Sequence, residues 1–298
     1  MRARAMRTFT ATTRSSKAIM SIDRDHRPTS GSVARASRRI GGAALVWLSC
    51  LSANPMPAAP PAHPASARSF FEPFDGLDAR RWYISDGWVN GAHQACTWSR
   101  SAVLTSRGVL RMTVERRANQ LRPLVCAEIQ AQGSGFGYGT YEVRMRIARG
   151  SGLNTAMFTY SGPPVTPIHD EIDFEFLGKD ERRVQLNYFV GARGGHENLA
   201  DLPPDASQAF HDYAFVWAPA KISWYVDGKL VRSVEGTTLP RNAGKFYLTL
   251  WAGSATVNDW LGPLSNSQLP ATAEVDWAAY TVPGERCRFP QSITCTLN

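Results

Sequence analysis

His169-Asp-Glu-Ile-Asp-Phe-Glu-Phe-Leu-Gly178 sets three carboxylates, Glu171, Asp173 and Glu175, at every second position. Side chains of an extended strand alternate between the two faces of a sheet, so the acids share one face while Ile172, Phe174 and Phe176 fill the other. A strand this apolar on one side predicts a central place in a sheet packed on a core, with the acids lining a cleft. Like charges crowded on one face raise one another's pKa, which opposes stability unless chemistry uses them. The use that fits is a proton donor beside an anionic nucleophile; a structural cation is the alternative.

Outward from this strand the alternation with period two continues. It recurs in Val109-Leu-Arg-Met-Thr-Val-Glu115, Tyr141-Glu-Val-Arg-Met-Arg-Ile147, Val184-Gln-Leu-Asn-Tyr-Phe189 and Ile222-Ser-Trp-Tyr-Val226. Asp227-Gly228 separates the last of these from Lys229-Leu-Val-Arg-Ser-Val234, and both residues tolerate the positive φ of a type I′ hairpin turn. Long helical periodicity is absent, and at most one turn of helix is expected near Ala206-Ser-Gln-Ala-Phe210. The pattern predicts an all-β, antiparallel two-sheet sandwich. Gly133-Ser-Gly-Phe-Gly-Tyr-Gly139 has the wrong spacing for a nucleotide loop and precedes a strand, so it reads as a turn or bulge.

The net charge of +8 does not describe the whole chain. Residues 1–40 carry ten Lys or Arg against two Asp or Glu, residues 41–67 carry none, and the remaining 231 carry 23 of each sign. The neutral body removes the main argument for a nucleic-acid partner. Residues 1–67 read as an export signal and Pro/Ala-rich leader. An Arg-rich start precedes Gly42-Ala-Ala-Leu-Val-Trp-Leu-Ser-Cys-Leu51, and Ala65-Ser-Ala67 offers a small-residue cleavage site after Ala67. Translation from Met20 and lipidation at Cys50 are alternatives for this segment. No later run of about 18 apolar residues follows, so no membrane span is expected, and the mature protein is expected to be secreted or periplasmic and monomeric.

Export leaves Cys96, Cys126, Cys287 and Cys295, an even number in an oxidising compartment. Four cysteines allow three pairings; the simplest joins Cys287 to Cys295 locally and Cys96 to Cys126, and free buried thiols are the alternative. Residues 68–298 read as one large domain, with a C-terminal tail over 283–298.

Cleaving a glycosidic bond with retention needs a carboxylate nucleophile and a carboxylic acid about 5–5.5 Å apart. Glu171 and Glu175 are roughly 13 Å apart at Cα in an extended strand, so their side chains must lean together on a concave face. Asp173 between them can hydrogen-bond one of the pair and keep the donor protonated. A polysaccharide cleft also needs flat apolar platforms. Among nine Trp residues, Trp251 and Trp260 lie in glycine-containing segments that read as cleft-rim loops. The six His residues show no metal-ligand spacing, and His169 is a candidate substrate contact. No Gly-x-Ser-x-Gly elbow is present.

With its Glu-x-Asp-x-Glu core, His169 to Gly178 resembles the catalytic strand of glycoside hydrolase family 16. Phe71-Glu-Pro-Phe74, Cys96-Thr-Trp98, Gly137-Tyr-Gly-Thr-Tyr-Glu-Val-Arg-Met145, Phe158-Thr-Tyr-Ser-Gly162, Gly194-Gly-His-Glu197, Trp224-Tyr-Val-Asp-Gly228 and Asp259-Trp-Leu-Gly262 extend the likeness over residues 70–281. They are similar to segments of bacterial lichenases and of rhizobial succinoglycan depolymerases. The resemblance implies a concanavalin-like β-jelly-roll sandwich whose concave sheet forms the glycan cleft. It implies Glu171 as nucleophile, Asp173 as assisting acid and Glu175 as general acid/base, with no cofactor for catalysis. It places Asn90, Glu128, Phe158, Tyr160, Asn187, Trp251 and Trp260 at glucan-contacting positions and supports a Cys96–Cys126 disulfide. It also implies a structural calcium held by Asp276 and the carbonyls of Pro73 and Gly108, a modest site with one carboxylate. Lichenases usually carry Trp, Arg, Tyr and Asn where this chain has His169, Gln130, Phe189 and Ala252. Those departures concern substrate choice, since the catalytic acids are intact. A transglycosylase and a lectin-like glycan binder are the rival readings, and the tail after residue 282 lies outside the resemblance.

Overall fold

The computed structural model describes residues 67–297 apart from Asn119, Pro203 and Pro204. The leader, its cleavage, the Met20 start and lipidation at Cys50 rest on residues 1–66, outside the described residues. The strands, in chain order, are β1 (Phe70–Glu72), β2 (Trp82–Ile84), β3 (Cys96–Trp98), β4 (Val103–Ser106), β5 (Val109–Arg116), β6 (Leu124–Ala131), β7 (Gly139–Arg146), β8 (Leu153–Tyr160), β9 (Glu171–Leu177), β10 (Arg183–Phe189), β11 (Asn198–Asp201), β12 (His211–Ala218), β13 (Lys221–Val226), β14 (Lys229–Glu235), β15 (Lys245–Ala252) and β16 (Ala271–Thr281). Among the described residues one short α-helix, α1 (Asn258–Leu261), joins them.

Two antiparallel layers result. One runs β11-β10-β9-β8-β15-β6, with β2 also on β6; the other runs β5-β16-β7-β12-β13-β14, with β1 on β16 and β4 on β5. They meet where Glu115 and Arg116 of β5 pair with Val125 and Leu124 of β6. This is the two-sheet sandwich the strand pattern calls for, in the jelly-roll form the family resemblance implies. Ile172, Phe174 and Phe176 are fully buried between the layers, where Tyr213 meets the Phe174 and Phe176 rings at 5.8 and 4.7 Å. Trp224 donates Nε1–H to the Asp173 carbonyl at 3.2 Å, tying the second layer to the acidic strand's backbone. The β13–β14 hairpin turns at Asp227 (φ 47°) and Gly228 (φ 75°), as a type I′ turn requires.

Residues 206–208 form a turn, within the single turn at most that the sequence allows there, and the Asp205 carboxylate accepts from Ser207 N (2.9 Å) and Ser207 Oγ (2.7 Å). Two local expectations need correction. Trp251 lies inside β15 and is 3% exposed, so it belongs to the cleft floor and not to a rim loop. Trp260 stands on α1. The disulfides are Cys96–Cys126, joining β3 to β6, and Cys287–Cys295 in the tail. That tail docks on the second layer: Ser292 Oγ (2.5 Å) and Ile293 N (2.7 Å) donate to the buried Glu142, and Phe289 meets Phe71 at 5.5 Å.

Candidate active site

Register fixes which side chains meet the acids. On β10, Phe189 pairs with Glu171, Asn187 with Asp173 and Gln185 with Glu175. On β8 the partners are Tyr160, Phe158 and Ala156. Beyond β8, β15 contributes Lys245, Tyr247, Thr249 and Trp251 by the same alternation, and β6 contributes Glu128 and Gln130 opposite Thr249 and Tyr247. One face of five strands therefore carries most of the residues expected from sequence. Asn90 lies in the loop before β3, where its N–H donates to Gln94 Oε1 at 2.7 Å.

All three acids are buried, at 1, 2 and 6% exposure, yet their partners are few. Glu175 accepts from Asn154 Nδ2 (3.2 Å) and Gln185 Nε2 (2.8 Å), and Gln185 Oε1 accepts from Trp260 Nε1 (3.1 Å). Glu171 Oε2 lies 2.6 Å from His169 Nε2. Glu171 Oε1 and Asp173 Oδ2 accept from no N–H or alcohol hydroxyl, nor do Asn187 Oδ1 and Thr249 Oγ1 nearby, and a side-chain hydrogen bond links Asp173 to Glu171. Burial pushes the Glu175 carboxyl up to about 8, and the charge of Glu171 adds to the shift while the bonds from Asn154 and Gln185 oppose it. Burial, then the charges of Glu171 and Glu175, hold Asp173 well above the usual carboxylate range. Burial and crowding thus favour the protonated form of Glu175 on the same face as Glu171, which suits the division of labour between donor and nucleophile.

The aromatic floor lies beside them. Phe158 and Tyr247 stack in parallel at 4.7 Å, and Trp251 and Trp260 meet at 6.0 Å. Trp260 and Gln185 also line a pocket of about 390 Å³ with Lys179 and Arg183. Farther across, Gln130 Nε2 donates to Glu128 Oε1 (2.7 Å), Ser85 Oγ donates to the same oxygen (2.5 Å), and Lys245 Nζ donates to Gln130 Oε1 (3.1 Å). Asn154, Gln185, Tyr247, Thr249 and Lys245 were not singled out from sequence. The period-two rule that selected Glu171 and Asn187 also selects Gln185 on β10 and the odd-numbered residues of β15, and that signal was available.

Asp276 and Pro73 line a shallow depression of about 450 Å³ on the other layer. There Arg144 Nε bonds Asp276 Oδ2 at 3.2 Å, and Arg144 Nη1 bonds Asp212 Oδ1 at 3.0 Å. The expected calcium carboxylate is already neutralised by a guanidinium. Among the described residues no group of three or more His, Cys, Asp or Glu could hold a metal.

An all-β sandwich with buried, unequally protonated carboxylates beside an aromatic floor defines a glycoside hydrolase. The chain belongs to the glycosyl hydrolases family 16, whose pattern matches residues 90–279. It is 48% identical over 231 residues to the endo-1,3-1,4-beta-glycanase ExoK of Rhizobium meliloti (strain 1021), covering 77% of this chain and 85% of that one. Identity to the beta-glucanase of Bacillus amyloliquefaciens is 42% over 213 residues, covering 71% and 87%. Among solved structures, a prokaryotic beta-1,3-1,4-glucanase (lichenase) derived from a mouse hindgut metagenome superposes with TM-score 0.68 at 39% identity. That match covers 72% of this chain and 99% of the other.

Proposed function

We propose that the chain is a retaining endo-β-glycanase that cuts internal β-glucosidic bonds of a β-1,3/1,4-glucan or of a glucose-rich exopolysaccharide. The names of its relatives support the polymer class. The observation that carries the mechanism is the pairing of Glu175, pushed up to about 8, with Glu171, whose Oε1 is buried and accepts from no N–H or alcohol hydroxyl. In this reading Glu175 protonates the leaving sugar oxygen while Glu171 attacks the anomeric carbon. Water, activated by the now ionised Glu175, then hydrolyses the glycosyl-enzyme. Asp173 acts as the assisting acid between them. Asn90, Glu128, Gln130, Phe158, Tyr160, Asn187, Phe189, Trp251 and Trp260 form the sugar-binding surface. Residues 1–67 act as the export leader, residues 68–298 are the hydrolase domain, and the protein works outside the cytoplasm as a monomer. Asp276 with the Pro73 and Gly108 carbonyls offers calcium no more than a modest site, for which Arg144 competes. Among the described residues no helix is long and apolar enough to cross a membrane.

The test is reducing-end release from mixed-linkage β-glucan, laminarin, succinoglycan and xyloglucan, with Glu171→Gln as control. Release that disappears in the control supports hydrolysis, and the preferred polymer identifies the substrate. Binding without release from any of the four, unaffected by Glu171→Gln, means a glycan-binding module. Glycosyl transfer to added oligosaccharide in place of release means a transglycosylase.

A further inference from the structure

His169 is 11% exposed at its side chain and is held from several directions. Its ring lies nearly parallel to Phe189 (5.2 Å, 18°) and 4.8 Å from the Tyr160 ring. Its carbonyl accepts from Ala192 N at 2.8 Å. The next residue, Asp170, accepts from Gly191 N, Arg241 N, Asn242 N and Asn242 Nδ2 at 2.7–3.0 Å, which pins the backbone that carries the ring. Gly162, at φ 137°, closes the pocket: a Cβ there would meet the Tyr160 hydroxyl at 2.6 Å and His169 Cβ at 3.1 Å. A nucleophilic carboxylate is ionised and only accepts, so with Glu171 in that role the His169 Nε2, 2.6 Å from Oε2, carries the proton and donates. No N–H or alcohol hydroxyl donates to Glu171 Oε1.

We infer that His169 is a positioning residue that holds Glu171 with Oε1 turned to the anomeric carbon and assists the carboxylate's departure in the second step. This rests on the reading of Glu171 as nucleophile. In the first step Oε1 bonds to the anomeric carbon, the glycosidic C–O bond breaks, and Glu175 gives its proton to the departing oxygen. Oε2 is then an ester carbonyl, and its bond from His169 loses charge assistance. In the second step the water oxygen bonds to the anomeric carbon, its proton passes to Glu175, and the C–Oε1 electron pair returns to Glu171. Oε2 regains charge and the Nε2–H bond strengthens. The donor therefore favours breakdown of the glycosyl-enzyme more than its formation.

The experiment uses the full chain and a dinitrophenyl β-gluco-oligosaccharide, whose good leaving group makes the first step fast. His169→Ala removes the donor, His169→Phe keeps a ring against Phe189 should Ala not fold, and His169→Gln restores an N–H. The expected result in the first two is a fall in kcat of roughly 10- to 100-fold. KM falls with it, kcat/KM stays within a few-fold, and each enzyme releases a burst of about one phenolate. Glycosyl-enzyme on Glu171 accumulates in the mass spectrum, and His169→Gln recovers part of kcat. A raised KM at unchanged kcat makes His169 a sugar contact and overturns the inference. So does a parallel fall of kcat and kcat/KM without a burst, which is what a merely structural role gives. A glycosyl group on any other carboxylate overturns the nucleophile reading itself, whereas labelled Glu171 with unaltered variant kinetics overturns only the role of His169.

Discussion

The buried carboxylates of the second layer and the three of the acidic strand β9 are treated in opposite ways. On the second layer, Glu274 is bound by Arg111 (2.8 Å) and by Arg146, and Glu142 takes Ser292 Oγ and Ile293 N. Glu72 forms an ion pair with Arg81 (Nε at 3.2 Å) and accepts from Trp82 Nε1 (3.1 Å) and Phe74 N (3.2 Å). Each of these acids has cationic or N–H and O–H donors, as buried acids in a stable structure should. On the cleft face Glu171, Asp173 and Glu175 face one another, and two of their oxygens accept from no N–H or alcohol hydroxyl. Acids placed for stability recruit donors, and acids placed for chemistry are kept short of them.

The contrast breaks if both sets respond alike to loss of charge. Glu171→Gln is expected to lower kcat on the order of 10⁴-fold, because an amide cannot form the glycosyl-enzyme. At pH 8 the same change should leave the melting temperature unchanged or higher, since it removes a charge crowded against two other buried carboxyl groups. A clear drop in melting temperature, read by calorimetry, would mean that the carboxylate also supports the fold.

The pH dependence sharpens the comparison. The ordinary Glu175 carboxyl titrates near 4.5 and in the folded protein near 8. Between those values the native state holds a proton that the unfolded chain has lost. Stability from this group is therefore full below about 4.5 and is lost as pH rises to about 8, by on the order of a few kcal/mol. Asp173 is shifted in the same direction and adds to the slope. The donor is lost over the same range, so kcat/KM should fall on an alkaline limb near pH 8. In Glu171→Gln the stability slope should shrink and move to lower pH, because one cause of the shift is gone while burial remains. An unchanged slope in urea titrations across pH 5–9 would remove Glu171 from the account.

Much of this was legible in the sequence, because period-two alternation reports which residues share a face. It located β5, β7, β10, β13 and β14 and grouped Glu171, Asp173 and Glu175. It could not separate the two kinds of buried acid, since Glu142 in Tyr141-Glu-Val-Arg and Glu274 in Ala273-Glu-Val-Asp alternate just as Glu175 does. What distinguishes them is the donor opposite, and donors such as Ser292 and Arg111 come from about 150 residues away. The tail was opaque for the same reason, since its role depends on Glu142. The His169–Glu171 bond was within reach, as residues two apart on an extended segment share a face.

Glu142 offers the stability arm of the comparison. Glu142→Ala strands the Ser292 hydroxyl and Ile293 N–H and loosens the tail, which is expected to cost about 2–3 kcal/mol. For a domain of this size the melting temperature should fall by roughly 5–10 °C. Activity on glucan at 25 °C should be unchanged, in contrast to Glu171→Gln. Loss of activity in the folded variant would mean that the second layer communicates with the cleft.

The smallest expected effect concerns calcium, and it asks whether the second layer's habit of pairing acids with Arg extends to Asp276. With Arg144 Nε on Asp276 and Nη1 on Asp212, a calcium ion must displace or repel a guanidinium to reach its one carboxylate. Adding calcium or a chelator to the parent protein should therefore shift the melting temperature by no more than about 1–2 °C, since little binding energy is left to add. Arg144→Gln leaves Asp276 and Asp212 as uncompensated neighbours, which should lower stability in chelator and raise the response to calcium. The two measurements are coupled in sign: whatever stability the guanidinium supplied, calcium should restore only in the variant. A large calcium response in the parent, undiminished by chloride salts at equal ionic strength, would show that Arg144 and the ion share the site and that Asp276 is not a paired acid of the second layer's kind.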